Sequence, residues 1–314
     1  MTVLGGFATA FVGLLGAADL LGMQVLSSDL GAQTRFALDA GEIVTAAAAA
    51  GFLFRPIRKD VAMFVPIDPD NPVHTLALVL ATLLFGTQVT SIAFTDVLAI
   101  DLKQPALSLA DLAYGLLPFL VIAVAGVGLF IRRNVPASAG RLGLVRPAWW
   151  HLVLALAAAG VFLALGMAAD ALSHALTPDL ARRVDATTSH VFGQLNTPLG
   201  IAAIAILPGI CEEVLFRGAL QPRIGLVATA ALFTSVHTEY GLSFDTATVF
   251  LLALGLGLIR KYTNTTTTTA CHVSYNLLVG ISIGGAILNA ALAAEVALIA
   301  VLAYAIWAKR RRPH

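Results

Sequence analysis

Three short polar patches in the C-terminal half of the chain contain the residue types that acid-base chemistry needs. They read Glu212-Glu213-Val-Leu-Phe-Arg217, Phe233-Thr-Ser-Val-His237 and His272-Val-Ser-Tyr-Asn276. Each patch lies in a stretch hydrophobic enough to cross a bilayer, where ionisable side chains are costly and are retained mainly for function. The sequence therefore predicts a reaction site inside the membrane.

A free carboxylate, two imidazoles and an amide are the groups required for the attack of water on a carbonyl. Glu212 can take a proton from water, and His272 can orient the water or share that proton. His237 and Asn276 can donate hydrogen bonds to the tetrahedral oxyanion. These four side chains are the predicted catalytic residues.

The spacing within the patches predicts which side chains support the site. Glu213 and Arg217 are four residues apart, so an α-helix would place them on one face as an ion pair. Glu212 would be rotated by about 100° from Glu213 and would face elsewhere. Phe233 is expected to pack one turn behind His237. We therefore assign Glu213, Arg217 and Phe233 to structural support.

Two further features concern the immediate surroundings of the predicted site. His272 and Asn276 are also four residues apart, so both can face a common cavity. Pro208, four residues before Glu212, cannot donate a backbone hydrogen bond and is expected to kink or loosen its helix. We expect this loosening to admit water next to the carboxylate.

The composition indicates an integral membrane protein. Hydrophobic residues make up 58% of the 314 residues and charged residues only 12%, and the mean hydropathy is +0.87. Soluble domains have about 25% charged residues. The formal net charge of +1 gives no indication of a nucleic-acid partner. The expected partners are membrane lipid and a peptide or protein substrate presented at the membrane, including a lipidated one.

Apolar runs of about 15 to 25 residues recur along the chain, close to the length that spans a bilayer. Helices are expected because the runs lack the alternation of barrel strands. The approximate ranges are 3–26, 41–54, 73–94, 111–131, 150–170, 198–220, 225–240, 245–259, 268–284 and 286–307. The predicted fold is an all-α polytopic bundle with about ten hydrophobic segments, of which eight to ten span the membrane.

Basic residues in the connections predict the orientation of the chain. They cluster after the second, fourth, sixth, eighth and tenth segments, which is one side of an alternating trace. The positive-inside rule assigns that side to the cytoplasm. The pair Arg182 and Arg183, in the fifth connection, is the exception. Both termini are therefore predicted to be cytoplasmic, in a multi-pass protein of the cytoplasmic membrane whose active site opens toward the cytoplasm.

The motifs EExxxR, FxxxH and HxxxN, in this order on apolar segments, resemble those of the CAAX prenyl endopeptidase and bacteriocin-processing family, the CPBP or Abi intramembrane proteases. The resemblance covers roughly residues 198–284. It implies an intramembrane endopeptidase in which Glu212 and His272 activate water, while His237 and Asn276 form the oxyanion site. Together with the apolar segments it predicts a catalytic helical core over 196–285, preceded by N-terminal transmembrane segments without a recognised motif over 1–195 and followed by a final helix with a basic tail over 286–314.

Other functions fit the same residues. Glu212, His237 and His272 are the two histidines and one carboxylate of a zinc site, so a zinc-dependent intramembrane metalloprotease is one alternative. The glutamate mechanism itself requires no cofactor. Another alternative is a non-catalytic transporter or immunity-type protein, in which the buried charges relay protons or line a binding pocket.

Overall fold

The computed structural model describes residues 2–21, 30–281 and 295–304 of the chain. In these ranges the secondary structure is helical, without strands, apart from an isolated bridge between Leu129 and Arg133. The predicted all-α class is confirmed for this part of the chain. The first, ninth and last predicted segments lie partly outside the described residues, and the basic tail lies entirely outside them.

One compact unit comprises Met1–Gln104 together with Leu220–Leu242. Its helices are α1 (Thr2–Leu20), α2 (Ala32–Gly51), α3 (Arg55–Val61), α4 (Pro72–Phe94), α5 (Val97–Asp101), α11 (Gln221–Ile224) and α12 (Leu226–Ser235). Helices α1, α2 and α4 pack against one another, and α12 packs against α4. Asn71 is the N-cap of α4, and its side chain accepts a hydrogen bond from the Val73 N–H.

The second compact unit comprises Pro105–Ala219 together with Ser243–His314. Its helices are α6 (Leu109–Gly126), α7 (Val135–Leu142), α8 (Trp149–Leu176), α9 (Pro178–Phe192), α10 (Pro198–Glu212), α13 (Phe244–Tyr262), α14 (Thr265–Gly280) and a final helix α15 (Glu295–Tyr304). A π-helix, Glu213–Leu220, follows α10 directly. This unit contains two of the three polar patches, those of the glutamates and of His272 with Asn276.

The described residues contain five helical spans long and apolar enough to cross a membrane. They are Val3–Leu20, Pro72–Phe94, Leu109–Gly126, Trp149–Leu176 and Pro198–Ile224. A sixth is possible if α2 and α3, which meet at 89°, form one broken span. The expected number of eight to ten spans is therefore confirmed only as far as five or six. The predicted side of each terminus remains a prediction.

Among the described residues, three of the predicted apolar segments do not form full-length apolar spans, and each has an identifiable cause. Helix α12 has 10 residues and is about 15 Å long, half of a bilayer core of about 30 Å. Helix α14 has 16 residues and reaches only about 24 Å. Helix α13 is longer but has Asp245 at its start and Arg260 and Lys261 at its end. An apolar run in the sequence does not by itself fix the length of its helix.

Helix α14 is surrounded by α8, α10 and α13 within its unit. The contact with α10 is close because α10 has a glycine there: a Cβ on Gly209 would lie 2.5 Å from Cγ2 of Val273. On the other side, Cys271 is fully buried against Ala155, Ala159 and Leu256. Cys211 and Cys271 are both free thiols. The packing places Asn276 of α14 against the backbone of α10.

Candidate active site

The two adjacent glutamates lie at a change of helix type. Helix α10 ends at Glu212, and the eight residues Glu213–Leu220 form a π-helix. In a π-helix, backbone hydrogen bonds connect residue i with residue i+5. Such segments are rare in proteins, but those that occur are often found at functional sites. The sequence predicted an ordinary α-helical turn here. The pairing of Glu213 with Arg217 is nevertheless present, with Oε1 and Nη1 3.0 Å apart.

Glu213 is the centre of a buried polar chain. Its Oε1 atom lies 3.0 Å from Nη1 of Arg217 and 3.0 Å from Nδ1 of His272. Glu213 and Arg217 are both 0% exposed. Isolated buried charges are strongly unfavourable, so each of these groups depends on the other for its stability. The contact with His272 was not expected from sequence.

The hydrogen bond to Glu213 defines the state of the His272 ring. A carboxylate can only accept a hydrogen bond, so Nδ1 of His272 is the protonated, donating nitrogen. Nε2 then carries no proton in the neutral ring and acts as an acceptor, whereas in the imidazolium it acts as a donor. His272 is itself buried. Glu213 therefore fixes both the orientation and the tautomer of this histidine.

Both the side chain and the backbone carbonyl of Arg217 make further hydrogen bonds. Nη2 donates to the carbonyl of Ala253 on α13 over 3.3 Å, and the Arg217 carbonyl accepts from Nε of Arg260 over 3.2 Å. In the π-helical pattern the partner of this carbonyl would be the N–H of residue 222. Residue 222 is proline, which has no N–H. Arg260 thus supplies the donor that Pro222 cannot.

Glu212 is buried but has a different environment from Glu213. It is 7% exposed. Its Oε2 atom is buried and has no hydrogen-bond partner among the described residues. An unpaired buried carboxylate oxygen is unfavourable unless water or a proton occupies it. Oε2 of Glu213 is likewise buried without a hydrogen-bond partner, but Oε1 of that residue is held by Arg217 and His272. Glu212 has no such contact among the described residues, and it is therefore the glutamate available for reaction with water.

Asn276 lies one turn after His272 on α14. Its Nδ2 atom donates to the carbonyl of Ile204 on α10 over 3.2 Å. A side-chain amide has two N–H donors on this nitrogen. One anchors the side chain, and the second is available for another acceptor.

The patch around His237 belongs to the other compact unit. His237 follows the end of α12, and its Nδ1 lies 2.9 Å from the carbonyl oxygen of Phe233. The two rings have centroids 4.6 Å apart, so the expected packing of Phe233 against His237 is present. The ring of Tyr240 is stacked on that of His237, with centroids 6.5 Å apart. Because a carbonyl only accepts, Nδ1 donates, and Nε2 of the neutral ring is an acceptor.

A second cluster contains metal-ligand residue types away from the three motifs. Among the described residues, one group of three has ligand atoms within 4.8 Å of one another: Asp170, His174 and Asp185. Nδ1 of His174 lies 3.0 Å from the Asp170 carbonyl oxygen, and Nε2 lies 3.1 Å from Oδ2 of Asp185. Both ring nitrogens already have protein partners and all three residues are exposed. We interpret this cluster as a link between α8 and α9.

Comparison with known families identifies the region that contains the motifs. Residues 194–278 match the family model described as type II CAAX prenyl endopeptidase Rce1-like, which covers a little over a quarter of the chain. This is a protease family, and it agrees with the resemblance seen in the motifs. All four predicted catalytic residues lie within the matched region. Comparisons with curated proteins and with solved structures found no match.

Proposed function

We propose that this chain is an intramembrane endopeptidase that hydrolyses a peptide bond of a membrane-associated substrate. The Rce1-like region supports a protease at the level of the family. Together with the apolar helices it supports a multi-pass membrane protein. The observation that carries the specific proposal is the difference between two adjacent buried glutamates. Glu213 is held through Oε1 by Arg217 and His272, while Glu212 has no such contact among the described residues and has a buried Oε2 without a hydrogen-bond partner.

The hydrolysis is proposed to proceed by water activated at Glu212. The carboxylate removes one proton from water while the water oxygen forms a bond to the carbonyl carbon of the substrate. The carbonyl π electrons move to oxygen and form a tetrahedral oxyanion. When this intermediate collapses, the C–N bond breaks, and the proton held by Glu212 passes to the leaving nitrogen. The products are a carboxylic acid and an amine, and no residue remains modified.

The hydrogen bonds support a division of labour among these side chains. Nδ1 of His272 donates to Glu213, so Nε2 of the neutral ring accepts and suits the task of orienting the water or sharing its proton. The second N–H of Asn276, one turn later, suits the oxyanion. His237 is proposed as the second oxyanion donor, a role that requires a proton on its Nε2 because its Nδ1 is bound to the Phe233 carbonyl.

The substrate class follows from the location of the site. Glu212 lies near the middle of the apolar span Pro198–Ile224, so a substrate must present its peptide bond at membrane depth. A lipidated or membrane-associated peptide meets that requirement. We place the protein in the cytoplasmic membrane with the site open to the cytoplasm, because of the distribution of basic connections.

A library experiment tests the proposed activity. Purified protein in lipid nanodiscs is incubated with membrane-associated and prenylated peptides, and new termini are identified by mass spectrometry. Wild-type protein should produce termini that the Glu212→Gln variant does not produce. The matched control is Glu42→Gln, the same change at a half-buried glutamate of α2 whose carboxylate accepts from Thr87. An inactive wild type, or equal cleavage by Glu212→Gln, would contradict the proposal.

A further inference from the structure

Pro208 lies inside α10, where an ordinary residue would donate its N–H to the carbonyl of residue 204. Proline has no N–H, so the Ile204 carbonyl has lost its usual helical partner. A polar backbone group in such a place requires another partner. That partner is Asn276, whose Nδ2 donates to the Ile204 carbonyl over 3.2 Å.

The packing of α10 against α14 explains how a short side chain reaches this carbonyl. Gly209 follows Pro208 immediately, and a Cβ there would lie 2.5 Å from Cγ2 of Val273. Gly280 lies near the end of α14, where a Cβ would be 2.7 Å from Cγ2 of Ile201. The missing side chains allow the two helix backbones to approach. Asn276 therefore contacts the α10 backbone directly.

We propose that Pro208 is a positioning residue for the hydrolytic reaction. By withholding an N–H, it keeps the Ile204 carbonyl as a fixed acceptor for Asn276. One N–H of the amide is thereby anchored, and the other is held ready to donate to the oxyanion. This inference rests on the proposed function, because the orientation of Asn276 affects a rate only if an oxyanion forms.

The substitution Pro208→Ala separates positioning from a purely structural role. Alanine restores the N–H at residue 208 and removes a residue that is unfavourable in a helix interior. The variant should therefore unfold at the same or a higher temperature than the wild type. Its N–H now competes with Asn276 for the Ile204 carbonyl, so kcat should fall on the order of tenfold, with KM little changed. A merely structural proline would not combine greater stability with a lower kcat.

Pro118 offers a matched control. It lies inside α6 and is exposed, and Pro118→Ala makes the same chemical change without involving Asn276. This variant should show the same direction of change in unfolding temperature, with kcat unchanged. Pro208→Ser supplies the same backbone N–H as alanine, and it replaces Pro208→Ala as the test variant if Pro208→Ala does not fold.

A double-mutant cycle on unfolding temperature tests the inference without any cleavage assay. In the wild-type background, Asn276→Ala leaves the Ile204 carbonyl unpaired and should lower the unfolding temperature by about 2 to 4 °C. In the Pro208→Ala background that carbonyl is already paired, so Asn276→Ala should cost much less. Non-additive shifts support the inference, and additive shifts overturn it.

The two measurements keep the inference distinct from the proposed function. A wild type that cleaves no peptide would overturn the proposed function, and the cycle would still show whether Pro208 positions Asn276. An active wild type whose kcat is unchanged by Pro208→Ala would overturn the positioning role alone.

Discussion

Nδ1 of His272 lies 3.0 Å from Oε1 of Glu213, across 59 residues of sequence. This hydrogen bond joins two of the three motifs and links them to Arg217 through the same carboxylate oxygen. It gives the second glutamate a role that an ion pair alone would not. Glu213 both neutralises a buried guanidinium and orients an imidazole.

Replacing Glu213 should therefore impair stability and activity together. Glu213→Gln leaves a buried guanidinium without its carboxylate, which costs about 3 to 5 kcal/mol. It also removes the acceptor that fixes the His272 tautomer, so the rate of cleavage should fall as well. Thermal unfolding and a cleavage assay on the same preparation measure both effects. A variant with normal unfolding and normal activity would refute the role of Glu213, and Glu42→Gln provides the matched comparison.

Arg260 should stabilise the π-helix from outside the three motifs. Arg260→Gln removes the charged donor to the Arg217 carbonyl, for which Pro222 offers no substitute. We expect a loss of about 1.5 to 3 kcal/mol, the usual value for hydrogen bonds of charged groups. Arg260→Lys retains a cationic donor and should restore part of the loss. Denaturation in a defined detergent measures the free energy of unfolding of each variant. Equal stabilities of the wild type and of the Gln and Lys variants would contradict a stabilising role for this contact.

Much of the candidate site was predictable because spacing within one helix determines which side chains are neighbours. The Glu213–Arg217 pair and the contact of Phe233 with His237 both follow from a separation of four residues. Contacts between helices do not follow from local spacing. The bond from His272 to Glu213 depends on how α14 packs against α10, and the sequence contains no local signal for it.

The proline effects lie between these two cases. Pro208 predicted a loosened backbone, and the structure retains a continuous α10 through it. The released Ile204 carbonyl was predictable, but its partner Asn276 is 72 residues away. The π-helix was not predicted, because residue spacing alone does not distinguish bonds to i+4 from bonds to i+5. The predicted number of spans is confirmed only as far as five or six among the described residues, because apolar composition does not define where helices end.

Metal removal tests the cofactor prediction. The glutamate mechanism uses water and protein donors, so activity should survive exhaustive chelation, and purified protein should contain no stoichiometric metal. Activity and metal content are measured on the same sample before and after stripping. The zinc alternative, with Glu212, His237 and His272 as ligands at about 2.0 to 2.2 Å, predicts loss of activity and its return with zinc alone.

Cysteine labelling tests the predicted orientation. The connection between α6 and α8 is rich in arginine and is predicted to be cytoplasmic. Single cysteines introduced at Ala137 in this connection and at Gln104 before α6 should therefore differ in their labelling in intact cells. An impermeant thiol reagent should label only the cysteine at 104, and both after the membrane is opened. Cys211 and Cys271 are buried, which limits background labelling. Labelling of the cysteine at 137 in intact cells would contradict the predicted orientation.

The kinetics of Glu212→Gln test the central claim most directly. On a peptide that the wild type cleaves, this variant should lose a factor on the order of 10² or more in kcat, the usual contribution of a general base. Its unfolding temperature should be unchanged or higher, since Oε2 of Glu212 is buried without a partner and a neutral amide is less costly there. If Glu212→Gln folds normally and cleaves at the wild-type rate, Glu212 does not activate the water and the proposed mechanism is wrong.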